Sequence, residues 1–172
     1  ADEVIVAIGA TPKRLKIKGI ENTIEACDYL KDNSKAGEKV IIIGGGLTGC
    51  EIALDLYQKG KIPIIVEARN DLIAVRGVCL ANSSYLREFF ALNNVEVHLE
   101  SAVQEITKDG VKIMNKDGEE IFIEADTVIM SVGYNPKTIP ETNRKVHLVG
   151  DCNEVGNLRT VTWRAWDVGM KI

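Results

Sequence analysis

Several kinds of chemistry are ruled out by what this 172-residue sequence has little of. Its four cysteines, Cys27, Cys50, Cys79 and Cys152, form no C-x-x-C pair, and neither of the two histidines, His98 and His147, stands near them at a zinc-ligand spacing. The cysteines are expected to be reduced, unpaired and buried, which places the protein in a reducing cytoplasm. No apolar run approaches the roughly 18–20 residues that span a bilayer. The formal net charge of −4 offers no basic surface for nucleic acid or for an anionic membrane, so neither is expected as a partner. Internal repeats and low-complexity segments are absent.

What is present is the composition of a soluble globular domain, 45% hydrophobic and 27% charged, with length enough for a proper core. The chain opens without Met and closes inside a helical pattern, so it reads as an excised piece of a longer protein. Short apolar runs at 4–8, 40–43, 62–66 (interrupted only by Pro63) and 127–132 predict buried strands, as in a parallel sheet flanked by helices. Asn22 followed by Glu25 resembles a capping box and predicts a helix to about Lys31. Further helices are expected at 47–59, 82–92 and 159–171. Between them the period shortens: strands are expected at 95–99, 103–107, 111–114 and 121–123, with Asp109-Gly110 and Asp117-Gly118 at hairpin turns. Val146 begins a last short strand. Trp163 and Trp166 in the final helix are spaced for core or interface packing.

The most informative segment is Gly44-Gly45-Gly46-Leu47-Thr48-Gly49, a G-x-G-x-x-G turn between an apolar strand and an amphipathic helix. Gly44 permits the sharp turn, Gly46 leaves room for a pyrophosphate, and Gly49 lets helix and strand pack closely. The helix start offers unsatisfied N–H groups and a positive dipole end to the phosphates. A second strand follows and ends at Glu67, 23 positions after Gly44, close to the roughly 20 expected of the acid that binds the adenosine ribose. Its carboxylate can accept both ribose hydroxyls of NAD. Against a 2′-phosphate at about 5 Å it would cost roughly 3 kcal/mol at an effective dielectric of about 20. NAD(H) is therefore favoured over NADP, with Arg69 positioned to offset part of the penalty. Cys50, in the first turn after the loop, is expected to carry a somewhat acidic thiol.

With these residues in place, the chain resembles the NAD-binding region of the pyridine nucleotide–disulfide oxidoreductase superfamily, where that domain is inserted within an FAD-binding domain. Val6-Ala7-Ile8-Gly9-Ala10-Thr11-Pro12 is similar to the A-T-G-x-x-P segment that hands the chain from the FAD domain to the NAD domain, with Ile8 in place of the usual Thr. Val132-Gly133-Tyr134-Asn135-Pro136 is similar to the return segment. Val149-Gly150-Asp151 is similar to the late G-D motif, whose aspartate contacts the flavin. Within the superfamily the stretch from Gly150 to Asp167 resembles the C-terminal FAD/NAD module of 2-enoate reductases and 2,4-dienoyl-CoA reductases, relatives of old yellow enzyme that also carry an FMN barrel and an iron–sulfur cluster.

The resemblance implies an α/β fold: a Rossmann-like parallel sheet flanked by helices, with an antiparallel meander. It implies a flanking segment of the FAD domain at 1–35, an NAD-binding domain at 36–132 and a return segment at 133–172. It further implies that NADH docks on 44–49 and Glu67, with Glu51 near the nicotinamide, and passes hydride to FAD on the way to an activated C=C bond. From the residues alone, Glu51 reads equally as an exposed first-turn acid. Gly9, Gly133 and Asp151 would belong to the flavin side. The implied partners are NADH and the FAD-binding and barrel domains, whose own glycine motif and cluster cysteines this chain lacks. No C-x-x-C or C-x-x-x-x-C supports disulfide chemistry. By itself the chain is expected to be inactive and prone to self-association. An NAD-sensing, non-catalytic module would share the βαβ unit but not the flavin-type segments at both ends. A stand-alone dehydrogenase would need its own acid or base beside the nicotinamide, and neither His98 nor His147 is well placed.

Overall fold

A computed structural model describes residues 1–74, 77–140 and 142–172. In chain order the elements are β1 (Glu3–Val6), β2 (Ala10–Pro12), β3 (Thr23–Glu25), α1 (Ala26–Lys31), β4 (Lys39–Ile43) and α2 (Leu47–Gln58). Then come β5 (Ile62–Val66), α3 (Leu80–Leu92), β6 (Glu96–His98), β7 (Ala102–Ile106), β8 (Gly110–Met114) and β9 (Glu120–Glu124). The last are β10 (Thr127–Met130), β11 (Tyr134–Pro136), β12 (Lys145–Leu148) and α4 (Leu158–Gly169). They form two compact units, Arg14–Val132 and, from the two ends of the chain, Ala1–Lys13 with Gly133–Ile172. Residues 14–35, grouped with the leading segment on sequence grounds, lie in the first of these units.

The unit from Arg14 to Val132 is built on a five-stranded sheet of order β3-β10-β4-β5-β6, every pair parallel. Alternate residues of its central strands feed two cores. Val40, Ile42 and Ile65 join Tyr29, Ile52, Ala53, Leu56, Leu86 and Phe90 of the helices. Ile41, Ile43, Ile64 and Val66 join Ile106, Val111, Ile113 and Ile123 of the antiparallel meander β7-β8-β9. A layer of helices and a layer of meander thus cover the two faces, which is why the central strands are apolar without alternation. The α/β, Rossmann-like fold expected from the sequence is present, with both hairpin turns in place: Gly118 has φ +80°, and a side chain on Gly110 would strike the Ile123 carbonyl.

Two elements differ. The run 4–8, expected as a buried strand, gives β1 only as far as Val6, with Ile5 and Ile8 55% and 43% exposed, because among the described residues β1 belongs to a two-stranded ribbon with β12 rather than to the central sheet. Asn22 caps no long helix: residues 20–22 make a 3₁₀ turn, β3 follows, and α1 has only six residues, with Glu25 at its start making no side-chain cap. Thr23–Glu25 is drawn into the sheet edge by pairing with Val128, Ile129 and Met130, about a hundred residues away. Tyr29 from α1 is buried and its hydroxyl donates to Asp55 Oδ2 on α2 at 2.7 Å.

In the other unit β1 pairs with β12 in parallel and β2 with β11 antiparallel. α4 opens with a capping box between Asn157 and Thr160. Its Trp163 and Trp166 are each 63% exposed, so they fill no core in this unit.

Candidate dinucleotide site

The G-x-G-x-x-G turn joins β4 to α2, and each glycine meets a different environment. Gly44 has φ +108°, and a Cβ there would lie 2.3 Å from the Ser131 carbonyl oxygen. A Cβ on Gly45 would fall 2.5 Å from Leu72 Cδ2, and one on Gly49 would fall 2.0 Å from the Gly44 carbonyl oxygen. At Gly46 a Cβ would meet nothing within 4 Å. Gly44 and Gly49 are therefore fixed by backbone, and Gly45 is crowded by the end of the Leu72 side chain, whereas the missing side chain of Gly46 leaves space toward the outside of the turn.

That space lies at the start of α2. Gly46 is the N-cap, no side chain caps it among the described residues, and the helix has no acid in its first turn. The first turn-closing bond runs from Cys50 N–H to the Gly46 carbonyl at 3.0 Å, so the amides of Leu47, Thr48 and Gly49 precede the helical ladder and need partners from elsewhere. Leu47 and Thr48 are half-buried. The donor set is that of an anion site: backbone N–H groups at a helix N-terminus with space before them.

Glu67 follows β5 and turns back to the glycine loop. Its Oε2 accepts the Gly45 N–H at 2.6 Å and its Oε1 accepts the Arg69 N–H at 2.8 Å. The Glu67 main chain is held on both sides, its N–H donating to His98 and its carbonyl accepting from Ser101. Arg69 directs its guanidinium to the Ala74 carbonyl at 2.5 Å. Glu51 is exposed in the second turn of α2 rather than the first.

The cysteine expectations need two corrections. All four are free, but Cys79 is exposed and Cys27 half-buried; only Cys50 and Cys152 are buried. Cys50 is not acidic: burial, reinforced by the Glu67 charge, pushes its thiol up to about 12. Desolvation outweighs the helix dipole because the side chain lies beneath the turn, its Sγ donating to the Gly45 carbonyl at 3.5 Å.

Gly9, Gly133 and Asp151 belong to the other unit. Gly9 and Gly133 adopt φ +71° and +90° at the ends of the β2–β11 ribbon, where Lys137 N–H reaches the Gly9 carbonyl and Lys13 N–H the Gly133 carbonyl. Segments 10–12 and 134–136 are thus paired with each other. Asp151 lies in the 3₁₀ turn 150–152, its Oδ1 accepting the Gly156 N–H at 3.1 Å.

Sequence reasoning missed Ile73. Its N–H donates to the Gly45 carbonyl at 2.7 Å, and its φ of +53° is unusual for a β-branched residue. Nothing in an apolar Leu-Ile pair signals a left-handed residue pinned to a loop nearly thirty positions earlier. Among the described residues no cluster of His, Cys, Asp and Glu could hold a metal ion, and no helix is long and apolar enough to cross a membrane.

Comparison with known proteins agrees with this architecture. The family described as pyridine nucleotide-disulphide oxidoreductase matches residues 1–161. A cinnamate reductase from Clostridium sporogenes is 39% identical over 178 aligned residues, covering 100% of this chain and 27% of that protein. An NADH oxidase from Thermoanaerobacter brockii is 33% identical over 183 residues, covering 99% of this chain and 28% of that protein. The solved structure of a 2-naphthoyl-CoA reductase bound to 2-naphthoyl-CoA superposes with a TM-score of 0.87 at 28% identity, covering 99% of this chain and 27% of that one. The chain spans little more than a quarter of the length of these relatives. With a parallel sheet, a glycine turn and a family match along most of its length, the chain belongs to the pyridine nucleotide-disulphide oxidoreductase family.

Proposed function

We propose that this chain is the NADH-binding part of a cytoplasmic flavin-dependent oxidoreductase, and that the whole protein reduces activated C=C bonds of the 2-enoate or dienoyl-CoA type. The observation that carries the reading is the contrast within the glycine turn: Gly44, Gly45 and Gly49 are closed off by their neighbours while the space at Gly46 is open. Gly46 also has an ordinary φ of −70°, so neither its backbone conformation nor the protein's own packing calls for a glycine there, and a ligand against the start of α2 does.

Gly46 and the amides of Leu47, Thr48 and Gly49 would hold the pyrophosphate, supplying hydrogen bonds and the positive end of α2 without a counter-charge in its first turn. Glu67, already held in place by the Gly45 and Arg69 amides, keeps free lone pairs for the adenosine ribose hydroxyls and repels a 2′-phosphate. Arg69 spends one guanidinium N–H on the Ala74 carbonyl but keeps its charge, which would offset part of that repulsion. Glu51 stands toward the nicotinamide half. When bound, NADH would supply a hydride for a flavin; this chain's residues would orient the donor and exclude water. Gly9, Gly133 and Asp151 would serve the FAD side, completed by the rest of the longer protein, which by resemblance also carries FMN and an iron–sulfur cluster. Similarity to a cinnamate reductase supports an alkene conjugated to a carboxyl group as the terminal acceptor.

Calorimetric titration of the chain with NADH and with NADPH tests the reading. Saturable binding of NADH, weak because the flavin side is incomplete, with NADPH weaker still, is expected. Equal or tighter binding of NADPH would overturn the role of Glu67.

A further inference from the structure

Gly45 is gripped from both sides by the segment that follows β5. Its N–H donates to Glu67 Oε2 and its carbonyl accepts the N–H of Ile73. The second bond has a geometric consequence. In a trans peptide the carbonyl of one residue and the N–H of the next point in opposite directions within one plane, and the chain has no cis peptide among its described residues. Fixing the Gly45 carbonyl on Ile73 therefore fixes the direction of the Gly46 N–H, at the threshold of α2.

Ile73 does not take up this position freely. A β-branched residue at φ +53° is strained, and such strain persists only where the surroundings hold it. Burial of Leu72 and Ile73 in the helix-side core supplies part of the hold. The rest comes from Arg87 on α3. Its Nε and Nη2 form a fork on Asp71 Oδ1 and Oδ2 at 2.9 and 2.8 Å, and Nη2 also donates to the Leu72 carbonyl at 2.5 Å. An exposed ion pair alone contributes little, but this one is bidentate and is joined to the main chain immediately before Ile73.

We propose that the Arg87–Asp71 fork is a positioning device of the dinucleotide site, acting through Ile73 on the Gly45–Gly46 peptide plane that aims the Gly46 N–H at the pyrophosphate. The proposal rests on the dinucleotide reading above. Neither side chain touches the nucleotide, so their effect is on the orientation of a donor already present in the turn. The fork joins α3 to the segment after β5, and the Ile73 N–H joins that segment to the glycine turn between β4 and α2.

The test uses Arg87→Gln, which removes all three bonds, and Asp71→Asn, which leaves the Arg87 bond to Leu72. Glu105→Gln, which breaks the Lys18–Glu105 pair on the meander side, is the control. Amide hydrogen exchange at Ile73, measured without nucleotide, reports the clamp, and NADH titration reports the site. In Arg87→Gln, exchange at Ile73 should accelerate and the NADH dissociation constant should rise on the order of tenfold, the size of effect expected when one group acts through another. Asp71→Asn should fall between, the double variant should equal Arg87→Gln, and Glu105→Gln should move neither quantity. Unchanged NADH affinity in folded Arg87→Gln, with or without faster exchange at Ile73, would overturn the proposal. Absence of NADH binding in the wild-type chain would overturn the dinucleotide reading, and the nucleotide-free exchange data separate that failure from failure of the clamp.

Discussion

Glu67 and Gly45, 22 residues apart in sequence, are joined by a 2.6 Å hydrogen bond from the glycine amide to the carboxylate. The contact places a negative charge beside the turn and leaves lone pairs for a sugar. Glu67→Gln keeps the size of the side chain, removes the charge and gives the amide a donor where two backbone N–H groups now need acceptors. NADPH should gain relative to NADH by on the order of tenfold to a hundredfold, less than or equal to the Coulombic penalty removed. Parallel titrations of both nucleotides check this, and an unchanged ratio would show that Glu67 does not face the adenosine ribose.

Gly49→Ala should damage the fold rather than only the site. Its Cβ would fall 2.0 Å from the Gly44 carbonyl oxygen, so helix and turn would have to separate. A loss of about 2–4 kcal/mol in unfolding free energy is expected, read from urea denaturation. Wild-type stability would mean that the turn and α2 are less closely packed than described.

Cys50 gives the protein an alkaline weakness. The folded state keeps this thiol neutral up to about 12, against an ordinary value of 9.0. Well below pH 9 neither state ionises and the stabilisation is complete. As pH climbs from 9 toward 12 the unfolded chain ionises first and stability falls, by at most about 1.4 kcal/mol per pH unit for one group. Tyr29, raised by burial and by its bond to Asp55, adds a second contribution above its ordinary value of 10.0. Denaturation midpoints of wild type and Cys50→Ala between pH 8 and 11 should show a shallower decline in the variant. Without reductant, alkylation should reach Cys79 and Cys27 quickly, and Cys50 and Cys152 only on unfolding.

Trp163, Trp166 and Met170, three, and then four, residues apart, form an exposed apolar face of α4 and the residues after it, at 63%, 63% and 69% exposure. With one glycine motif and that face uncovered, the 172-residue chain by itself should be colourless, oxidise no NADH with an artificial acceptor, and self-associate. Visible spectra, an NADH assay and light scattering check this together. A yellow, active monomer would contradict it.

The parts of the fold legible in the sequence were those written locally. The apolar runs of β4, β5 and β10, the glycine turn and the helix α2 are each specified by neighbouring residues. What was not legible depends on pairing across distance. Thr23–Glu25 is a strand because β10 lies beside it, although Asn22 and Glu25 alone suggest a helix cap. Cys50 sits where a dipole would acidify it, but burial under Gly45 and Glu67 reverses the sign. At the site, Glu67 was visible from its spacing, whereas Ile73, Asp71 and Arg87 carried no motif and emerge only from three-dimensional contacts.

The most direct test of the account is NADH titration of Gly46→Val beside wild type, with thermal unfolding of both. Position 46 has an ordinary φ of −70° and no atom within 4 Å of an added Cβ, so the variant should fold, losing about 1 kcal/mol for a poorer N-cap. The account predicts saturable NADH binding in the wild type and none in the folded variant, because the isopropyl group takes the space of the pyrophosphate. Retained NADH affinity in folded Gly46→Val would contradict it.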